Sequence, residues 1–234
     1  MKAYANAFLN HDKERFKEYL GKVKKGKKKI AAGALLPHQI IAALKNSYRN
    51  EVAGLQWQRI LDDLSAKGTL KNCLAICDVS GSMYGTPLEV SVTLGLLVSE
   101  LSEVPWKGKL ITFSGNPQLQ IIQGDSIRAK IECIERMDWH CNTDFQKVFD
   151  KILETAKKGN LREDQLIKRL FVFSDMEFDE ASANNWETDY ETITRKFHEN
   201  GYSSVPEIVF WNLRYSKATP VPSDQKGVAL VSGF

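Results

Sequence analysis

Residues 73–83, CLAICDVSGSM, hold the side chains best placed to do chemistry. An apolar, strand-like run ends there in Asp78-Val79-Ser80-Gly81-Ser82, so three oxygen-bearing side chains stand at alternate positions just past a buried strand. In that arrangement they can converge on one hard cation. Oxygen ligands, near-octahedral geometry and a few retained waters suit Mg²⁺ better than Zn²⁺. Two further oxygen donors follow in chain order, Thr143 in CNTDF and Asp175 at the end of LFVFSDM.

The elements that must position these residues can be read from periodicity. From Lys71 onward strands and helices alternate. The pattern predicts strands at 73–79, 109–113, 169–173, 208–211 and 228–231, and a short antiparallel partner at 119–122 beyond the turn Gly115-Asn116-Pro117. It predicts helices at 88–103, 126–137, 144–157 and 188–200. Continuous apolar strands such as LFVF imply burial on both faces, as in an α/β, doubly wound, mostly parallel sheet with helices on each side. Ligands of such sheets bind at the carboxyl ends of the strands, where Asp78, Thr143 and Asp175 fall. Residues 1–70 read instead as helical. Tyr4, Phe8, Phe16 and Leu20 suggest an amphipathic helix broken near residues 10–12, and Pro37 suits a helix start. A third helix over 53–66 places Leu55, Ile60, Leu61 and Leu64 on one side and stops at Gly68. The expected organisation is a helical extension over 1–70 and an α/β domain over 71–234.

The order Asp78-x-Ser80-x-Ser82, then Thr143, then Asp175 resembles the metal-ion-dependent adhesion site of von Willebrand factor A (vWA) domains, and the resemblance runs from about residue 72 to residue 234. It implies that Ser80 and Ser82 contact the metal directly, that Thr143 does so directly or through water, and that Asp78 and Asp175 hold metal-bound waters. It further implies Mg²⁺ as the ion, with Mn²⁺ or Ca²⁺ as substitutes, and an acidic protein group or a phosphate as the last ligand. Glu177, Asp179, His140, Asn142 and Tyr84 are then expected around the ion. A vWA domain normally adds a helix after its last strand, whereas this chain stops at Phe234. The expectation is a domain lacking that helix, its face partly covered by the N-terminal helices.

The combination of ALLPHQI, LQWQRILDDL, NCLAICDVSGSM, NTDFQKVFD and FVFSDMEFD is more particular. It is similar to the C-terminal half of a plant and viral family of unknown function, itself distantly similar to the TROVE/Ro ribonucleoproteins. In Ro proteins a helical-repeat ring binds RNA and a vWA domain closes the ring. That likeness implies that residues 1–70 are the last helices of a longer helical domain.

Charge is distributed unevenly. Residues 1–50 hold 12 Lys/Arg against 3 Asp/Glu. The totals of 32 and 29 leave 20 against 26 for residues 51–234, so a basic arm precedes a mildly acidic body. Within the arm, Lys22, Lys24, Lys25, Lys27, Lys28 and Lys29 could neutralise several phosphates, giving salt-dependent, sequence-blind RNA binding. No aromatic residues interleave with them, so base stacking is not expected. A solvated, lysine-rich turn is the plainer alternative.

Other function classes fare worse. No apolar run approaches the roughly 20 residues of a membrane span, and the N-terminus has no signal-peptide core. Cys73 and Cys77 would share one face of a strand too far apart to bridge, so reduced thiols in cytosol or nucleus are expected. The chain has no G-x-x-x-x-G-K-[ST] loop and no G-x-S-x-G elbow, and Ser80 stands where a D-x-D nucleophile pair would need its second aspartate. Zinc chemistry would have to join Cys133, His140 and Cys141 without a fourth ligand. The expectation is a binding module, not an enzyme. Met83 is expected to plug the core beneath the metal loop, and the five tryptophans to pack rather than bind.

Overall fold

The computed structural model describes residues 12–33, 35–45, 50–68, 70–112, 116–137, 145–176, 186–215 and 226–233. The chain divides into two compact units, residues 1–63 and residues 64–234.

In the first unit helix α1 (Lys13–Lys24) starts at Asp12, whose carboxylate accepts the Arg15 backbone N–H at 3.2 Å. Asp12 thus caps the helix, while Tyr4, Phe8 and the rest of the segment before the expected break lie outside the described residues. Glu14 in the first turn and Lys22 and Lys24 in the last complement the helix dipole. Gly26, at φ 69°, then turns the chain in a conformation that costs glycine little. Helix α2 (Pro37–Ala42) carries Pro37 in its first turn and buries Ile40 and Ile41. Helix α3 (Asn50–Lys67) corrects one expectation: its buried stripe is Ala53, Gln56 and Trp57, while Leu55, Ile60, Leu61 and Leu64 are half-buried. Trp57 is the largest of these side chains and is buried. Gln56 is tolerated beside it because its amide donates to the Ala31 carbonyl at 3.0 Å.

The second unit is a six-stranded sheet of order β3-β2-β1-β4-β5-β6. The strands are β1 (Cys73–Cys77), β2 (Lys109–Thr112), β3 (Leu119–Ile121), β4 (Arg169–Ser174), β5 (Glu207–Asn212) and β6 (Val228–Ser232). Only the β2–β3 pair is antiparallel. Every residue of β1 is buried, which its unbroken apolar sequence requires of a strand covered on both faces. Helix α4 (Thr86–Leu101) packs on β1, β2 and β4, with α5 (Ile127–Glu135) beside it. Helices α6 (Phe145–Lys158) and α7 (Trp186–Glu199) pack together on the opposite face. Their Val148, Phe149, Ile152, Ile193 and Phe197 join Leu74, Ile76, Leu170, Val172, Ile208 and Phe210 in one core.

A Cβ built on Gly95 would fall 2.1 Å from Cys77 Sγ, so glycine is what lets α4 approach β1 at this point. Cys77 Sγ in turn donates to the Ser91 carbonyl at 3.4 Å. The mostly parallel, doubly wound α/β fold is the one the strand–helix alternation predicts. Its chain reverses direction across the sheet between β1 and β4: strands β2 and β3 lie to one side, β5 and β6 to the other.

Candidate metal centre

β1 and β4 pair in parallel with Cys77 opposite Phe173, so Asp78 and Asp175 leave neighbouring strands at the same end of the sheet. The Asp78 backbone N–H donates to the Phe173 carbonyl at 2.9 Å, which anchors the first residue of the loop to β4. Asp78 is 3% exposed. Oδ1 accepts the Ser80 N–H at 2.8 Å, and Oδ2 accepts the Ser174 hydroxyl at 2.7 Å. Ser174 Oγ lies 3.5 Å from Asp175 Oδ1 and accepts the Met176 N–H at 3.1 Å, so this hydroxyl stands between the two carboxylates. Asp175 is buried as well, at 1% exposure.

The loop after Asp78 brings its two serines together. Gly81–Met83 form one 3₁₀ turn, closed by the Met83 N–H on the Ser80 carbonyl at 3.0 Å. That turn places Ser80 Oγ and Ser82 Oγ 2.9 Å apart. Met83 is fully buried. Arg214, two residues beyond β5, donates from Nη1 to the Ser82 carbonyl.

Burial pushes the Asp78 carboxyl above its usual range. The Ser80 and Ser174 hydrogen bonds pull it back, and the Asp175 charge adds to the rise. Among the described residues no lysine or arginine pairs with Asp78. Also among them, no three His, Cys, Asp or Glu side chains come together. The donor set at this end of β1 and β4 is therefore two carboxylates and the two serine hydroxyls, all oxygen. Buried carboxylates are ordinarily paired or metal-bound, and an all-oxygen set suits a hard divalent cation. Cys77 Sγ is turned to α4, where it donates to the Ser91 carbonyl, and burial pushes its thiol up to about 12.

Of the five predicted metal residues, Asp78, Ser80, Ser82 and Asp175 share one loop cluster. Thr143 lies outside the described residues, as do His140, Asn142, Glu177 and Asp179. Tyr84 is 84% exposed on the same loop as Ser82. Two residues of the cluster have no role predicted from sequence, Ser174 and Arg214. Ser174 is visible there only as the residue before Asp175 at a strand end. Arg214, 132 positions from Ser82, leaves no local signal.

The basic arm is partly spoken for. Lys22 pairs with Glu18 at 2.5 Å and Lys24 with Glu51 at 2.8 Å. Lys28 Nζ lies 5.9 Å from the Tyr19 ring centroid, and the Tyr19 hydroxyl donates to the Lys29 carbonyl at 3.1 Å. Lys25, Lys27, Lys28 and Lys29 are exposed. Among the described residues no helix is long and apolar enough to cross a membrane.

Comparison with known proteins gives three findings. The crystal structure of the Deinococcus radiodurans Ro (RSR) protein superposes with a TM-score of 0.56 at 14% identity, covering 96% of this chain and 46% of that one; the likeness concerns the fold. Uncharacterized protein L728 of Acanthamoeba polyphaga mimivirus is 35% identical over 222 residues, which is 94% of this chain. The chain spans only 39% of that relative's length. Residues 1–70 match a domain of unknown function, DUF2828, and residues 72–234 match a second, DUF7788. Through the stretch that contains the whole sheet and the Asp78 loop, the chain belongs to the DUF7788 family of domains of unknown function.

Proposed function

We propose that residues 72–234 form a divalent-metal-dependent interaction module that captures an acidic group of a protein partner. The observation that carries this reading is the meeting of Asp78, Ser80, Ser82 and Asp175 at the carboxyl ends of adjacent parallel strands. In this reading the Ser80 and Ser82 hydroxyls bind Mg²⁺, and Asp78 and Asp175 hold its waters through their carboxylates. Ser174 keeps the two carboxylates in place, and Thr143 joins the set by the vWA resemblance. Bound there, the cation offers an electrophilic position to one oxygen of an anionic ligand. The protein's own groups supply position and charge, and we read the site as binding rather than catalytic. The free thiols of Cys73, Cys77 and Cys133 support a reduced, intracellular setting.

Calorimetry with Mg²⁺ and Mn²⁺ tests the reading. Binding by the wild type that a folded Asp78→Ala variant lacks would support it. No heat from folded wild type up to millimolar metal would sink it.

A second reading is RNA binding through the exposed lysines 25, 27, 28 and 29, supported by their position in the turn after α1 and by the resemblance to Ro ribonucleoproteins. Such binding would weaken as salt rises and ignore chelators.

A further inference from the structure

We infer that Arg214 is a second anion-binding arm of this site, selecting a single carboxylate on a protein segment. The inference rests on the metal reading above and deepens it. Arg214 is exposed, and its Nη1 donates to the carbonyl of Ser82, the same residue whose hydroxyl lies 2.9 Å from Ser80 Oγ. One of its five N–H groups is thereby fixed beside the loop, and the planar fork retains donors for an incoming oxyanion. Among the described residues no carboxylate pairs with it, although this unit has several arginine–carboxylate pairs elsewhere.

Charge chooses the ligand. Counted over Asp78, Asp175 and Arg214, the two buried aspartates balance a divalent cation and Arg214 leaves one positive charge over, which a carboxylate neutralises and a phosphate dianion exceeds. Two exposed aromatic rings adjoin the bonded pair in sequence: Tyr84 is two residues after Ser82, at 84% exposure, and Tyr215 follows Arg214, at 76%. Arginine and tyrosine are the side chains most enriched where a few contacts carry a protein interface. A charged fork with exposed rings next to the bonded pair in the sequence fits a peptide segment better than a free anion.

The test uses the whole chain loaded with Mn²⁺, with solvent-proton relaxation reporting displacement of metal-bound water. The probes are a capped tripeptide with a central glutamate and, separately, inorganic phosphate. Wild type is compared with Arg214→Gln and Arg214→Lys, each checked for an unchanged melting temperature. The expected result is tripeptide affinity weakened about five-fold in Arg214→Gln, the scale of one exposed charge pair, with Mn²⁺ affinity unchanged. Arg214→Lys should recover part of it. Equal tripeptide affinity in wild type and Arg214→Gln would overturn the inference. So would a loss of Mn²⁺ affinity equal to the loss of tripeptide, which is what a mere tether of the Ser82 loop would give. Phosphate displacing water at lower concentration than the tripeptide would overturn the choice of carboxylate. Failure of wild type to bind Mn²⁺ is a separate result and removes the metal reading itself.

Discussion

Asp78 accepts one hydrogen bond on each carboxylate oxygen, from the Ser80 amide and the Ser174 hydroxyl. Both survive conversion to asparagine, since Oδ1 can still accept and the new amide can donate to Ser174 Oγ. The substitution therefore removes a buried charge and little else. Asp78→Asn is expected to melt no lower than wild type without metal and to lose the rise in melting temperature that Mg²⁺ produces. For wild type that rise corresponds to about 2.7 kcal/mol at a hundredfold excess over Kd, and thermal melts with and without metal read both effects. Ser174→Ala acts the other way. It strips a donor from a buried carboxylate, at a cost of about 1–3 kcal/mol, or roughly 2–4 °C per kcal/mol in a chain of this size. Metal affinity is expected to fall with it. The types and order of Asp78, Ser80, Ser82 and Asp175 are legible without coordinates because each lies next to a recognisable strand end. The role of Ser174 is not, because it depends on which strand lies beside β1.

At the scale of elements, the contact between β1 and α4 carries the site, because the Asp78 loop joins them. Its closeness rests on Gly95 standing over Cys77. Gly95→Ala is expected to destabilise by about 1–3 kcal/mol through overpacking. With Cys77→Ala in the same chain, the nearest neighbours of the added Cβ become β-carbons at 3.8 and 3.9 Å, an ordinary contact. The double variant should therefore be more stable than the sum of the single effects, because only there is the overlap with Sγ relieved. Denaturant melts of the four proteins measure the coupling, and additive effects would show that the close approach is not what Gly95 provides. Periodicity places most elements to within two residues. It extends β1 to Val79, whereas the strand ends at Cys77 because Asp78 turns its side chain to Ser80 and Ser174. The stripe of α3 escapes a count of leucine and isoleucine positions, because Trp57 and a hydrogen-bonded Gln56 occupy the contact.

For the whole molecule, the two units hold chemistries that should separate under different perturbations. Chelation should abolish capture of an acidic ligand and leave RNA binding untouched. Neutralising Lys25, Lys27, Lys28 and Lys29 together should reduce the salt slope of RNA binding by about 0.7 for each single-strand phosphate that is no longer neutralised, and leave metal affinity unchanged. A filter-binding series from low to high salt, with and without chelator, checks both halves. Sequence alone was enough for the alternation of strands and helices, the basic arm and the oxygen-donor loop, because periodicity, charge and turn residues are local properties. It could not say that β1 and β4 are neighbours, that the chain reverses across the sheet between them, or that Arg214 returns to the loop of Ser82. Those depend on strand order and on the meeting of residues far apart in the chain. Such meetings are decided by how whole faces of apolar side chains are buried together, and only the tertiary structure expresses that.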